Sequence, residues 1–246
     1  MDEQDRDGRS RLNAWFEGPL GVSLQALEAH RLREILPTLA GTFAVQVGHS
    51  GRRDLLESSP TAVHVVIDPE PNGAVGASMR ATAEALPLDA RSIQVIVFPH
   101  TLDVSAQPHQ VLREAHRVLA PEGSIVILGF NPASLWSLWC LSRRAYRTHP
   151  WCGGAIGLSR LKDWLSLLDF ELTQGSMLYY RPPVAGQRCM DRLLFLEKIG
   201  DRWWPLGAAV YLVVARKRTP GLTPILPLIR RPRLRAVSQP AGIRHG

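Results

Sequence analysis

Residues 46–51 read QVGHSG, which sets Gln46, Gly48, His49, Ser50 and Gly51 directly after the short apolar run FAVQV. Glycine lacks a Cβ and tolerates left-handed backbone angles, so a turn through Gly48 and Gly51 could admit a nucleotide close to the main chain. A second run, AVHVVIDP, ends in an acid, Asp68. A third, SIQVIVFPH, ends at Pro99 and His100, with Thr101 and Asp103 just behind. An imidazole at such a place exchanges protons near neutrality and is a candidate acid or base. His109 and His116 lie seven residues apart and can share a helix face, but two ligands without a third do not make a metal site. Cys140, Cys152 and Cys189 form no C-x-x-C pair, and nothing suggests a secreted disulfide scaffold.

The elements that must position these residues follow from periodicity. Leu24, Leu27, Leu32, Ile35 and Leu36 recur at helical spacing and predict an amphipathic helix within residues 17–39. FAVQV and AVHVVIDP read as buried strands, the second rich in β-branched residues, as a sheet covered on both faces requires. GAVGAS from Gly73 reads as a weak third strand, SIQVIVFPH as a fourth and SIVILGF from Ser124 as a fifth. Between the last two, Val111, Leu112, Ala115, Val118 and Leu119 predict a helix that Pro121 and Gly123 stop. Strands separated by helical segments indicate right-handed βαβ units. Beyond Asn131 the pattern changes to two helices, from Pro132 and from Leu158, and two late strands, ELTQGSMLYY and GAAVYLVVARK, expected to form an antiparallel hairpin at a sheet edge.

The 246 residues suit one α/β domain with appendages, and 45% hydrophobic with 21% charged residues is an ordinary globular composition. The N-terminal stretch alternates acids and arginines, unlike a signal peptide. The longest apolar stretch, from Ser124, is broken at Asn131-Pro132 and is too short to span a bilayer, so a cytoplasmic location is expected. The net charge of +7 is uneven: Arg216, Lys217, Arg218, Arg230, Arg231, Arg233, Arg235 and Arg244 all follow the last acid, Asp201. Without them the body is nearly neutral. Residues 219–246, with five prolines and no acid, read as a disordered basic tail.

Four features together resemble the class I S-adenosylmethionine-dependent methyltransferases, in particular their methyltransferase-11-like branch. These are the glycine turn after the first strand, Asp68 after the second, EALPLDARSIQVIVFPHTLD around the fourth, and VLREAHRVLAPEGSIVILGFNP leading into the fifth. The last two are similar to the family's LPF-type and E-x-x-R-V-L-x-P-G-G-type segments. The resemblance covers residues 40–131 and extends, through DWLSLLDFEL and LVVARKR, to about residue 218. It implies a doubly wound α/β, Rossmann-like sheet of seven strands with the last antiparallel. The domains would be an N-terminal helical segment over 1–40, a methyltransferase domain over 41–218 and the tail.

The resemblance implies S-adenosyl-L-methionine as cofactor, lying across the carboxyl ends of the strands. Its methionyl part would rest on Gly48, His49, Ser50 and Gly51, with Gln46 where the family places an acid and Ser50 and Arg52 where it places further glycines. Asp68 would accept hydrogen bonds from the ribose hydroxyls, since a carboxylate offers two acceptor oxygens and repels a 2′-phosphate; the alternative is a loop aspartate capping its own turn. Thr82 stands at the position of the family's adenine-side acid, so Thr82, Ala83, Glu84 and Leu86, with Pro99, would surround the adenine. His100 is the candidate catalytic residue, either deprotonating an acceptor or positioning groups beside the cofactor. The acceptor is expected to be small or lipophilic, with Trp136, Trp139, Trp151, Trp164, Trp203 and Trp204 available either to line its pocket or to pack the core. Two other readings stand beside this one: an interaction protein that keeps the fold without the cofactor, and a methyltransferase tethered to RNA, or to an anionic membrane surface, by the basic tail.

Overall fold

Strands whose two faces are both apolar need a covering layer on each side, and the computed structural model supplies both. It describes residues 3–49, 54–69, 78–134, 136–137, 154–182 and 207–218. The elements are α1 (Glu3–Phe16), α2 (Pro19–Ile35), β1 (Phe43–Val47), β2 (Val63–Ile67), β3 (Ile93–Pro99), α3 (Thr101–Val104), α4 (Pro108–Val118), β4 (Leu119–Phe130), α5 (Leu158–Leu167), β5 (Phe170–Leu178) and β6 (Val210–Lys217). The sheet order is β2-β1-β3-β4-β6-β5. β1 pairs in parallel with β2 and β3, and β3 with β4, while β6 runs antiparallel to both of its neighbours.

Alternation decides which layer each side chain meets. In β4, Val126, Leu128 and Phe130 face one apolar cluster and Ile125 and Ile127 the other. The first cluster is closed by Leu12 and Phe16 of α1 and Leu24, Leu32 and Ile35 of α2. The second is closed by Val111, Leu112, Ala115 and Val118 of α4 and Leu161 and Leu165 of α5. Pro19 opens α2 and Pro108 opens α4, each where a missing N–H is not needed. At the other end of α4, Lys217 Nζ donates to the carbonyls of His116 at 2.6 Å and Leu119 at 2.9 Å. The last strand thus caps the helix that the preceding crossover built.

The late strands form the expected antiparallel pair, with β5 at the edge and β6 inserted against β4. Among the described residues the sheet has six strands, not the expected seven. GAVGAS lies outside the described residues apart from Ser78, beside which Met79 makes an isolated parallel bridge to Ile67. β4 begins earlier than SIVILGF, because Leu119 already pairs with Ile93 before the register shifts and Ser124 meets Val95. The helix expected from Pro132 and the tail from 219 lie outside the described residues apart from 132–134 and 136–137. No helix among the described residues is long and apolar enough to cross a membrane.

Packing at the centre of the sheet leaves little slack. Gly129 faces Tyr211 across the β4–β6 ladder, and the phenol ring fills the space a Cβ would need. Both Tyr211 and its neighbours Leu128 and Leu212 are fully buried. Gly129→Ala is therefore expected to lower stability by about 1–3 kcal/mol, the usual cost of overpacking. Urea denaturation measures it, and a variant as stable as the parent would show that the ring can retreat.

Candidate functional site

The carboxyl ends of β1, β2 and β3 converge where β1 stands between strands that continue the chain in opposite directions across the sheet. In an open α/β sheet this switch in order leaves a crevice. Gly48 leaves β1 with φ +81°, in the left-handed region. Its N–H donates to the Ile67 carbonyl at 2.8 Å, which lays the turn on the end of β2. A Cβ here would stand 2.7 Å from Thr101 Oγ1 and 3.1 Å from Arg9 Nη1. The threonine is fixed in turn, donating from Oγ1 to the Val47 carbonyl at 2.6 Å.

Gln46 is fully buried and braces this turn from beneath. Its Nε2 donates to the Gly48 carbonyl at 3.1 Å, and its Oε1 accepts from the Leu55 N–H at 3.0 Å. An ionised acid has no proton to give and could make only the second bond. The amide therefore ties together the two limbs of the loop. Ser50 and Gly51 lie outside the described residues.

Asp68, just beyond β2, has no exposed surface. Its N–H donates to the Met79 carbonyl at 3.1 Å. Its Oδ2 lies 2.5 Å from His49 Nδ1 and 4.0 Å from Arg9 Nη1. Arg9 arrives from α1, is almost wholly buried, and has no hydrogen-bond partner for Nε. A carboxylate, a guanidinium and an imidazole are thus gathered over the glycine turn.

His100 follows β3 with φ +53°, its N–H donating to the Leu128 carbonyl at 3.0 Å. Its side chain is fully buried between two acids, with Nε2 2.8 Å from Glu28 Oε1 and Nδ1 3.1 Å from Asp103 Oδ2. The ring lies 4.2 Å from that of Phe130, and Asp103 Oδ2 also accepts from the Phe130 N–H at 2.9 Å. Burial alone would lower the His100 pKa, but the Glu28 and Asp103 carboxylates outweigh it and push the imidazole up to about 9. Burial raises the Asp103 carboxyl, against the opposing pull of His100. As imidazolium the ring donates from both nitrogens and holds no lone pair for an acceptor's proton.

The Thr82 carbonyl accepts from the Ala85 N–H at 3.3 Å, and Ala83 and Leu86 are buried against the β3 face of the core. Glu84 accepts from Ser105 Oγ at 2.6 Å. Pro99, the last residue of β3, is buried and pairs with Leu128. Two family-like segments hold each other here. Glu114 accepts the Leu86 N–H at 2.9 Å, while Arg117 Nη2 donates to the Leu86 and Leu88 carbonyls at 3.1 and 3.0 Å. Among the tryptophans, Trp136 is core, donating from Nε1 to the Arg181 carbonyl at 2.7 Å, and Trp164 stacks on His109 at 3.7 Å. Trp139, Trp151, Trp203 and Trp204 lie outside the described residues.

Arg9 and Glu28 were not foreseen from the sequence. Both nevertheless carry a signal: Glu28 falls between Leu24 and Leu32 on the buried face of α2, and Arg9 shares the face of Leu12 and Phe16 on α1. A charge set within an apolar stripe needs a buried partner.

The raised histidine fixes a pH dependence. Free His100 would lose its proton near its ordinary pKa of about 6.5, whereas the folded group keeps it to about 9. The folded state therefore holds more protons across that window, so this stability is fully present below it and is lost as pH rises through it. The raised Asp103 acts in the same direction. The melting temperature is expected to fall between neutral pH and about pH 9, and the fall to be flatter in His100→Gln. Parallel profiles for the two proteins would refute the assignment.

Residues 54–127 match the family model described as a methyltransferase domain. Over 226 residues the chain is 28% identical to the uncharacterized protein YafS of Escherichia coli (strain K12), covering 91% of this chain and 89% of that one. Among solved structures it is similar to a chain in the complex of the Haloferax volcanii Trm112 methyltransferase activator with a methyltransferase, with TM-score 0.58 and 16% identity over 87% of this chain and 98% of that one. It is also similar to a SAM-dependent methyltransferase from Thermotoga maritima, with TM-score 0.54 and 15% identity over 79% and 92%. At such identities the structures speak for the fold alone. The methyltransferase-domain match thus lies at the centre of the chain, and the sheet built around it has the Rossmann-like fold of these methyltransferase structures.

Proposed function

We propose that the protein binds S-adenosyl-L-methionine at the carboxyl ends of β1, β2 and β3 and transfers its methyl group to a small or lipophilic acceptor. The observation that carries this reading is the bare glycine turn: Gly48 has no room for a Cβ and lies beside the buried carboxylate of Asp68. Asp68 suits the ribose diol once His49 yields its place. The bound cofactor would supply a sulfonium leaving group. The chain's own contribution would then be alignment of the acceptor with the methyl group, an orientation effect.

His100 enters this scheme as a positioning residue. Held by Glu28 and Asp103, it fixes α2 to the end of β3 and so places the aromatic group formed by Trp15, Phe16 and Phe130. Trp15, partly exposed, packs edge-on against Phe130 at 6.0 Å and Trp136 at 5.8 Å. This aromatic surface supports a small or lipophilic acceptor. One observation favours the rival reading of a fold kept without its cofactor: His49 and Arg9 already engage Asp68 Oδ2.

Isothermal titration separates the two readings. Saturable binding of S-adenosylmethionine and S-adenosylhomocysteine is expected, weakened roughly 10- to 100-fold by Asp68→Asn, as loss of hydrogen bonds to a charged acceptor predicts. Folded parent protein that gives no heat at millimolar cofactor would leave the non-catalytic reading standing.

A further inference from the structure

We propose that Arg9 is the receptor for the cofactor's α-carboxylate, a binding residue delivered by the N-terminal helix rather than by the sheet. The assignment rests on the cofactor reading above. S-adenosylmethionine ends in an amino-acid group whose carboxylate needs a donor, and Gln46 at the end of β1 is already engaged by Gly48 and Leu55. Arg9 stands over that loop, its Nη1 3.1 Å from the place a Gly48 Cβ would occupy.

The guanidinium is placed but underused. It is almost wholly buried, its Nε has no hydrogen-bond partner, and at 4.0 Å its Nη1 lies beyond hydrogen-bond distance of Asp68. A buried donor left unmade is costly. A planar fork of five N–H groups matches a carboxylate and can grip both of its oxygens. The helix keeps the fork aimed at the turn, because Leu12 and Phe16 on the same face are buried in the core beneath α2. Gly8 carries α1 across α3, where a Cβ would come to within 3.8 Å of Val104. In the bound state Arg9 exchanges its loose contact with Asp68 for the ligand's carboxylate, and Asp68 turns to the ribose as His49 also yields its place.

The test compares S-adenosylmethionine with decarboxylated S-adenosylmethionine, which differs only in the carboxylate, by isothermal titration of the full chain. The parent is expected to bind the complete cofactor roughly 10- to 100-fold more tightly, the range for a hydrogen bond to a charged group. Arg9→Ala is expected to abolish that preference while leaving the affinity for the decarboxylated ligand within about twofold, with Arg9→Lys between them. Circular dichroism and melting curves establish that each variant is folded. Should the alanine variant not fold, Arg9→Gln, which keeps the stem, carries the comparison. A preference unchanged in the variant, or an equal loss for both ligands, overturns the assignment of Arg9 alone. A folded parent that binds neither ligand overturns it together with the cofactor reading.

Discussion

Three ionisable groups are buried together between the N-terminal helices and the sheet: Glu28 of α2, His100 after β3 and Asp103 of α3. Shut away from solvent, each carboxylate depends on the His100 ring between them for its opposite charge. This requirement fixes α2 to the carboxyl end of β3. It also fixes α1, which packs through Leu12 and Phe16 into the same cluster and lies with Phe16 5.4 Å from the His100 ring. The position of Arg9 over the glycine turn and of Trp15 against Phe130 follows from that anchorage. Buried ionic groups are poor sources of net stability but punish every arrangement that leaves one unpaired. Here that penalty selects where the helical cap sits.

The glycine turn obeys the same logic on a smaller scale. Its backbone needs a left-handed residue at Gly48, a hydroxyl from Thr101 and both functional ends of the Gln46 amide. Each bond is local to the ends of β1 and β3, so the turn is shaped before any ligand arrives. The chain thus departs from an acid at Gln46 in favour of a residue that can donate as well as accept. Charge of either sign comes to the turn from elsewhere: Asp68 from the end of β2 and Arg9 from α1.

Residues that look chemical in a motif prove to be joints. Glu114 and Arg117, the charged pair of the segment before β4, span from α4 to the backbone of Leu86 and Leu88. They fix the path of the chain through residues 86–88. Arg117 in turn, by donating to Glu114, lowers its carboxyl pKa from the ordinary value, and keeps it an acceptor for the Leu86 N–H. Trp136 is likewise a packing residue, its indole N–H satisfied by the Arg181 carbonyl.

The sequence by itself determined the parallel strands, their helical crossovers, the antiparallel final pair and the places of Gly48, Asp68 and His100 at strand ends. These are legible because they depend on periodicity and on short-range turn chemistry, which neighbouring residues write into the chain. It did not determine the isolated bridge of Met79 to Ile67, which no periodicity in its own segment announces. Nor did it reveal what His100 and Asp68 would meet. Glu28 lies 72 residues from His100 in the chain, and Arg9 belongs to a helix whose composition reads as solvated. Only the tertiary fold could bring them in, because a buried charge chooses its partner by proximity in space and carries no record of that partner in its own segment.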